Sequence, residues 1–305
     1  MSQTYPIPAP FARTIAELYG DAGRAWLADL PSRLAACARR WDLALGPPFA
    51  LSYNYVAPAA RADGTPLVLK LGVPNPELAS EAAALRHYAG RGIARLLDDD
   101  GLGALLLERL LPGTALAAIE DDAEATALAA EVMRRLWRPP PEAHLFPTTE
   151  RWGRGFARLR ERFGGGTGPL PHALVARAER LFADLLASAG APALLHGDLH
   201  HGNILAAARA PWLAIDPKGV VGEPAYEAGA LLRNPIERVL GAPSPARLLA
   251  RRVDILADAL GLDRARLVGW GLAQAVLSAW WSIEDHGYGW ERAIALAEHL
   301  SQLEG

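Results

Sequence analysis

The chain has 305 residues, of which 51% are hydrophobic and 21% charged, and its formal net charge at pH 7 is -3. This length and composition indicate a globular protein with room for two lobes, and they exclude an intrinsically disordered chain. The slightly negative charge provides no basic field, so we expect neither nucleic acid nor a membrane surface as a partner.

The N-terminal part is predicted to form a helical cap followed by a hairpin. Apolar residues at helical spacing predict helices over residues 11–30 and 32–45, the second of which starts at Pro31. Alternating apolar residues then predict strands over residues 49–57 and 66–73. An Asp-Gly turn joins these two strands into a hairpin.

One main helix and two more strands complete this small predicted sheet. Asn75 is a candidate cap, Pro76 suits the first helical position, and the helix ends at residue 90. Short strands are expected over residues 93–97 and 104–110. The remaining chain is predicted to be mostly helical.

The second half contains a polar loop between short apolar strands. The predicted strands cover residues 193–195, 204–206 and 212–215. Helices are predicted over residues 121–137, 149–163, 172–190, 226–233, 244–260, 263–285 and 288–303. The chain shows neither a secretory signal nor a long uncharged apolar run, so we expect a cytoplasmic protein.

The polar loop carries residue types that suit phosphoryl transfer. His196-x-Asp198 is followed by Asn203 five residues later, and Asp216 ends the next apolar run. An aspartate can receive the proton of an attacking hydroxyl. Amide and carboxylate oxygens are ligands that Mg²⁺ prefers. We therefore predict Asp198 as the catalytic base and Asn203 and Asp216 as magnesium ligands.

Lysine is rare in this chain, since two of its 31 lysine and arginine residues are lysines. Lys70 lies within a predicted apolar strand, where it could pair with Glu81 and point at nucleotide phosphates or be an ordinary strand-edge charge. Lys218 follows Asp216 closely. It is a candidate for contact with the transferred phosphoryl group or the acceptor, and the alternative is a solvated loop residue.

Several further polar residues are candidates for acceptor binding. The acids could bind ammonium groups of a cationic acceptor, and the histidine could line the cleft beside Asp198. Each acid alone could equally be a surface residue. The candidates are His200, Glu223, Glu227, Glu284 and Asp285.

The run His196-Gly-Asp-Leu-His-His-Gly-Asn-Ile-Leu205, with Ile215-Asp-Pro-Lys-Gly and Val221-Gly-Glu223, resembles the aminoglycoside phosphotransferase superfamily. Within it, the chain is similar to the streptomycin 6-kinase and hydroxyurea kinase branch. The resemblance implies an α+β, protein-kinase-like bilobal fold with a small mixed-sheet lobe and a larger helical lobe. It also implies ATP- and Mg²⁺-dependent phosphorylation of a hydroxyl on a small molecule.

The resemblance assigns roles to the two predicted lobes. Residues 1–110 would form the nucleotide-binding lobe with its helical cap, and residues 111–305 would hold the catalytic loop, metal ligands and acceptor site. Lys70 and Glu81 match the phosphate-anchoring pair. Asp198 matches the catalytic aspartate.

The resemblance also identifies a hinge, over residues 106–110, that would bind adenine through backbone groups. Glu108 and Leu110 are therefore expected nucleotide contacts. The chain has no Gly-x-Gly-x-x-Gly stretch, so Ser52 and Asn54 in a hairpin are expected to cover the phosphates.

The acceptor expected from this branch is a streptomycin-type aminoglycoside, a cationic aminocyclitol. Asp216 is followed by Pro-Lys rather than the Phe-Gly of protein kinases, which argues against a protein substrate. Two alternatives remain open. One is a sugar or amino-alcohol kinase of the same fold, and the other is a nucleotide-binding scaffold without transferase activity.

Overall fold

The computed structural model describes residues 5–303, in which the chain forms two compact units. Unit 1 extends to Gly90 and also contains Ala94–Leu111, whereas unit 2 consists of Arg91–Ile93 and the chain from Pro112 onward. Unit 1 is a small sheet with two helices, and unit 2 is mostly helical. The predicted α+β class is therefore confirmed, and the predicted functional boundary after residue 110 remains a proposal.

Unit 1 is built on one antiparallel sheet of five strands in the order β1-β2-β3-β5-β4. Its elements are α1 (Ala9–Trp41), β1 (Ala44–Leu45), β2 (Tyr55–Ala60), β3 (Pro66–Leu71), α2 (Pro76–Tyr88), β4 (Leu96–Asp99) and β5 (Ala104–Glu108). One hydrophobic core joins α1 to this sheet.

Helix α1 breaks at a different residue from the one predicted. Its backbone leaves the helical conformation at Gly20, where φ is 55° and ψ is -129°, while Pro31 lies inside the helix. Glycine adopts a positive φ without a Cβ clash, so the break falls there. The helix ends at Trp41, and the predicted helical residues 42–45 instead lead into β1.

The predicted hairpin is present as β2 and β3. Val56 pairs with Lys70 in its register, and the Arg61 amide donates to the Thr65 carbonyl at 3.1 Å to close the turn. The first strand starts at Tyr55 rather than at residue 49. The Phe49 amide donates to the Val56 carbonyl at 2.9 Å, so the segment before Tyr55 turns back onto β2 instead of extending it.

Helix α2 begins as the sequence predicts. The Asn75 side chain accepts a hydrogen bond from the Leu78 amide at 2.9 Å, and Pro76 occupies the first turn. Strand β4 lies a few residues later than predicted, at Leu96–Asp99. Asp99 is the last residue of this strand, and its carboxylate also accepts from the Gly101 amide in the following turn at 3.0 Å.

Unit 2 contains two small antiparallel sheets, one pairing β7 with β10 and the other ordered β6-β8-β9. Its strands are β6 (Pro112–Ala115), β7 (Ala193–Leu195), β8 (Ile204–Ala207), β9 (Trp212–Ala214) and β10 (Val220–Gly222). Its helices are α3 (Asp122–Leu136), α4 (Thr149–Arg162), α5 (His172–Ala187), α6 (Ala228–Arg233), α7 (Ile236–Leu240), α8 (Pro245–Leu260), α9 (Arg264–Asp285) and α10 (Glu291–Ser301).

The sequence did not predict β6, β10 or α7. Strand β6 contains Pro112 and Gly113, which are typical of a connector, and α7 is only five residues long. Helix α9 is the central helix of unit 2, because most side chains between Leu267 and Trp280 are buried. No helix within residues 5–303 has the length and apolar character needed to span a membrane.

Candidate active site

Lys70 and Glu81 form a buried ion pair in unit 1. The Lys70 ammonium on β3 donates to the Glu81 carboxylate on α2 at 2.7 Å, and the two residues are 3% and 6% exposed. The predicted pairing is therefore present. Its role in holding nucleotide phosphates remains a prediction.

The other predicted nucleotide contacts in unit 1 lie in two segments. Ser52 and Asn54 belong to the connection between β1 and β2 rather than to the β2–β3 turn, and Ser52 is exposed. The Glu108 carboxylate accepts from the Arg95 amide at 3.0 Å, and Leu110 is buried. The Glu108 amide also donates to the Arg95 carbonyl at 2.9 Å, and the predicted nucleotide contacts of both residues remain predictions.

The catalytic-loop candidate in unit 2 is organised by His196, which is fully buried after β7. Its Nε2 lies 2.7 Å from the Ile215 carbonyl, and its Nδ1 accepts from the Asp198 amide at 3.3 Å. A neutral ring with its proton on Nε2 satisfies both contacts. His196 thus joins the loop to the strand that leads to Asp216.

The two predicted magnesium ligands, Asn203 and Asp216, belong to the loop and strand that His196 joins. The Asn203 side-chain amide donates to the Asp198 carbonyl at 3.0 Å, which leaves its oxygen as the hard ligand atom. The Ile215 amide donates to the Asn203 carbonyl at 2.9 Å. Asp216 has a φ of 58°, which is uncommon outside glycine. The amide orientation and neighbouring carboxylates fit a Mg²⁺ site.

Charges around Asp198 shift its pKa in both directions. Burial raises the pKa of Asp198 and the nearby Asp216 raises it further, while His200 and Arg233 lower it. The His200 Nε2 lies 3.9 Å from the Asp198 carboxylate, and burial lowers the pKa of His200. A carboxylate with a raised pKa is a better proton acceptor.

Glu227 has a different position from the one predicted for an acceptor-binding acid. It is 1% exposed, and its carboxylate accepts from the amides of His196 and Gly197 at 2.7 and 2.9 Å. Gly197 has a φ of 85°, and a Cβ there would lie 2.9 Å from the Trp152 ring. Glu227 therefore fixes the backbone at the start of the loop, and the structure gives it no acceptor-facing position.

Glu223 is also bound within unit 2 rather than placed for an acceptor. Its carboxylate accepts hydrogen bonds from the Arg266 guanidinium through both oxygens, and from the Trp270 indole at 2.9 Å. Both partners lie on α9. The sequence showed the acid but not these partners, which follow it by more than 40 residues.

The remaining acceptor candidates lie on or near α9. Glu284 binds Arg158 through both carboxylate oxygens at 2.6 and 3.0 Å. Burial raises the pKa of Asp285, and the charge of Lys218 lowers it, so these two residues are electrostatic neighbours. The Lys218 amide also donates to the His196 carbonyl at 2.8 Å, which places its backbone beside the loop.

Sequence reasoning missed two residues near Asp198, Trp152 and Arg233. The Trp152 ring packs edge-on against Trp281, with centroids 5.8 Å apart. Arg233 acts electrostatically on Asp198 and ends α6. Trp152 lies on the amphipathic helix α4 and Arg233 ends the short, fully buried helix α6, and neither pattern indicates proximity to Asp198.

The Glu227 carboxylate leads to a prediction for the pH dependence of stability. Burial raises its pKa from 4.5 to about 7, against two backbone hydrogen bonds that lower it. Between these values the folded protein holds a proton that the unfolded chain has lost. Stability from this group therefore falls as the pH rises through that window, by up to about 3 kcal/mol.

We expect Glu227→Gln to remove this part of the pH dependence. The measurement is the free energy of unfolding by urea at several values between pH 4.5 and 7.5 for wild type and variant. Their difference isolates Glu227 from other titrating groups. Glu284→Gln is the control, because it removes an equal charge from a carboxylate paired with Arg158. Parallel pH profiles for wild type and Glu227→Gln would contradict the prediction.

Comparison with solved structures defines the class of protein. An amicoumacin kinase, solved in complex with AMP-PNP, Ca²⁺ and amicoumacin, matches 90% of this chain and 92% of its own with a TM-score of 0.58 at 15% identity. The fold is that of the protein-kinase-like phosphotransferases, as predicted.

Comparison with sequences gives the family. Residues 45–286 match the family described as aminoglycoside/hydroxyurea antibiotic resistance kinase. Streptomycin 6-kinase from Streptomyces glaucescens is 36% identical over 312 residues, covering 98% of each chain. Hydroxyurea phosphotransferase from Kitasatospora aureofaciens is 38% identical over 309 residues, covering 96% of this chain and 85% of its own. The chain belongs to this antibiotic resistance kinase family, which makes it a nucleotide-using phosphotransferase.

Proposed function

We propose that the protein transfers the terminal phosphoryl group of ATP to a hydroxyl of a streptomycin-type aminoglycoside, with Mg²⁺ as the metal. The observation that carries the proposal is the hydrogen-bonded loop that brings Asp198, Asn203 and Asp216 together in unit 2. ATP as the donor is consistent with a reaction in the cytoplasm.

The proposed chemistry assigns one task to each group. Lys70, held by Glu81, would bind nucleotide phosphates as a compact ammonium. Asn203 and Asp216 would hold Mg²⁺, which neutralises charge on the phosphates. Asp198 would orient the acceptor hydroxyl and take its proton. The hydroxyl oxygen bonds to the phosphorus, the bond to the bridging oxygen breaks, and ADP leaves.

An aminoglycoside acceptor suits the acids and aromatic rings of unit 2. Asp285 on α9 would provide negative charge for ammonium or guanidinium groups, whereas its neighbour Glu284 already pairs with Arg158. Trp152 and Trp281 provide ring surface on which such cations can pack. The family resemblance and the likeness to streptomycin 6-kinase support the same acceptor class.

Hydroxyurea is the second candidate acceptor. The observation that favours it is the 38% identity to a hydroxyurea phosphotransferase. A coupled ADP-release assay tests both candidates against a panel of streptomycin, hydroxyurea, simple sugars and amino alcohols. We expect streptomycin to give the highest kcat/KM. Turnover of a sugar or amino alcohol with no turnover of streptomycin would replace the proposal with the metabolite kinase, and ATP binding without any turnover would favour the scaffold.

Lys218 provides a separate test of the proposed chemistry. We expect Lys218→Ala to lower kcat by about 10-fold or more, because a cation near the transferred phosphoryl group stabilises its charge. The free energy of unfolding should change little, since Lys218 is only half-buried on a loop. Steady-state kinetics and urea unfolding measure the two effects. Unchanged kinetics would make Lys218 a structural loop residue.

A further inference from the structure

Arg233, the last residue of α6, is a buried cation with few partners. It is 9% exposed, and its guanidinium makes one hydrogen bond within residues 5–303, to the Gln274 side chain at 3.0 Å. Gln274 is itself fixed, because its amide nitrogen donates to the Tyr226 carbonyl. Arg233 is thus held in place while most of its five donors stay unused.

Arg252, another buried arginine of unit 2, has acceptors for most of its donors. Arg252 is completely buried, and it binds the Asp122 carboxylate and the carbonyls of Leu231 and Asn234 at 3.0, 3.0 and 2.7 Å. Arg233 has no carboxylate within 4.0 Å among residues 5–303. Because buried donors without acceptors are costly, the contrast indicates a partner that binds from solution.

Arg233 lies close to the proposed reaction centre and to a second unused donor. Its charge acts on both Asp198 and His200. It also acts on Tyr226, which is 1% exposed and whose hydroxyl has no hydrogen-bond partner within residues 5–303. The segment 226–233, which carries both donors, is hydrogen-bonded to the start of the loop of Asp198, because the Glu227 carboxylate accepts from the amides of His196 and Gly197.

Two simpler explanations leave part of this arrangement unexplained. A cation is favoured at the C-terminal end of a helix, but an exposed side chain would serve that purpose equally well. An ordered water molecule could satisfy the Tyr226 hydroxyl, but one water would leave most guanidinium donors of Arg233 without an acceptor. An anion satisfies both groups together.

We propose that Arg233 and the Tyr226 hydroxyl form an anion subsite that binds the phosphoryl group as it moves to the acceptor. The inference rests on the proposed phosphotransferase reaction and adds two catalytic residues to it. The phosphorus bonds to the acceptor oxygen, ADP departs, and the proton goes to Asp198. Arg233 and Tyr226 donate hydrogen bonds to the non-bridging oxygens, where negative charge remains throughout the step.

The test uses three variants in the full-length chain and one matched control. Arg233→Gln removes the charge, Arg233→Lys keeps it without the planar fork, and Tyr226→Phe removes the hydroxyl. Arg238→Gln is the control, because the hydrogen bonds of the Arg238 guanidinium within residues 5–303 go to the backbone carbonyls of Ala117 and Ile119, at 2.8 and 2.9 Å. Urea unfolding shows whether each variant is folded.

Two measurements separate a phosphoryl contact from a structural role. The first is kcat against acceptor KM in the ADP-release assay. The second is the rise in thermal midpoint that inorganic phosphate causes without nucleotide. We expect Arg233→Gln to lower kcat by about 10²-fold with little change in KM. We also expect it to reduce the phosphate-induced rise, while Arg238→Gln behaves as wild type. For Arg233→Lys, both kcat and the phosphate-induced rise should lie between those of wild type and Arg233→Gln. Tyr226→Phe should lower both quantities less than Arg233→Gln does.

Results that contradict the anion subsite differ from results that contradict the proposed phosphotransferase reaction. Wild-type kcat and a wild-type response to phosphate in the folded Arg233 variants overturn the inference and leave the proposed reaction intact. So does a fall in kcat without any change in the response to phosphate, because that pattern indicates a structural role. A wild-type enzyme with no turnover of any acceptor contradicts the proposed function itself, and the phosphate measurement still tests the subsite.

Discussion

Replacing Asp198 with asparagine is expected to lower kcat by about 10²-fold or more, because the amide cannot take the proton of the acceptor hydroxyl. Asparagine has the same shape as aspartate, and the contact between Asn203 and residue 198 uses the backbone carbonyl. The loop should therefore keep its geometry. The measurement is the steady-state rate of ADP release with a saturating acceptor.

The Asp198→Asn experiment needs a control for the loss of one negative charge. Asp254→Asn provides it, because Asp254 lies on α8 and pairs with Arg264 at 2.8 Å near the surface. This control should keep wild-type turnover. Mg-ATP affinity, measured by calorimetry, should be similar in all three proteins. Near-normal turnover in a folded Asp198→Asn variant would remove Asp198 from the role of base.

Lys70→Met is expected to lower the free energy of unfolding by about 3–5 kcal/mol, because it removes the ammonium that neutralises a buried carboxylate. The pair lies in unit 1, where Lys70 and Glu81 are both nearly inaccessible. The same variant should bind Mg-ATP much more weakly if Lys70 holds the phosphates. Urea unfolding and calorimetric titration measure the two effects separately.

A double variant separates the two roles of Lys70. Lys70→Met with Glu81→Leu removes both charges, so we expect stability to recover towards that of the wild type. Nucleotide affinity should stay low, because the phosphate-binding ammonium is still missing. A double variant that regains ATP affinity, or a single variant of wild-type stability, would contradict the assignment.

The sequence predicted most elements because local patterns determine them. The Asn75–Pro76 helix start, the β2–β3 hairpin and the strands around the polar loop all follow from residues close together in the chain. The errors also have local causes. At the α1 break the proline suggested one position, but the glycine eleven residues earlier was free to adopt the required φ.

The roles of acids in unit 2 could not be predicted from the sequence. By sequence, Glu223 and Glu227 are candidates either for acceptor binding or for the surface, whereas in the structure their partners are an α9 arginine and the amides that precede Asp198. Nothing in a sequence shows which distant group will lie opposite a carboxylate after folding. For the same reason the sequence does not single out Arg233, because its unused hydrogen-bond donors can be identified only from the folded structure.

The support of His196 and Gly197 by Glu227 has a consequence for the order of folding. The loop is complete in sequence at Asn203, but the carboxylate that holds its first amides occurs 24 residues later. Because this contact closes a long segment of chain, the start of the loop gains this support only when the turn before α6, which carries Glu227, has docked. During synthesis, a chain ending before residue 227 would contain Asp198, Asn203 and Asp216 and would still lack the carboxylate that fixes the start of their loop.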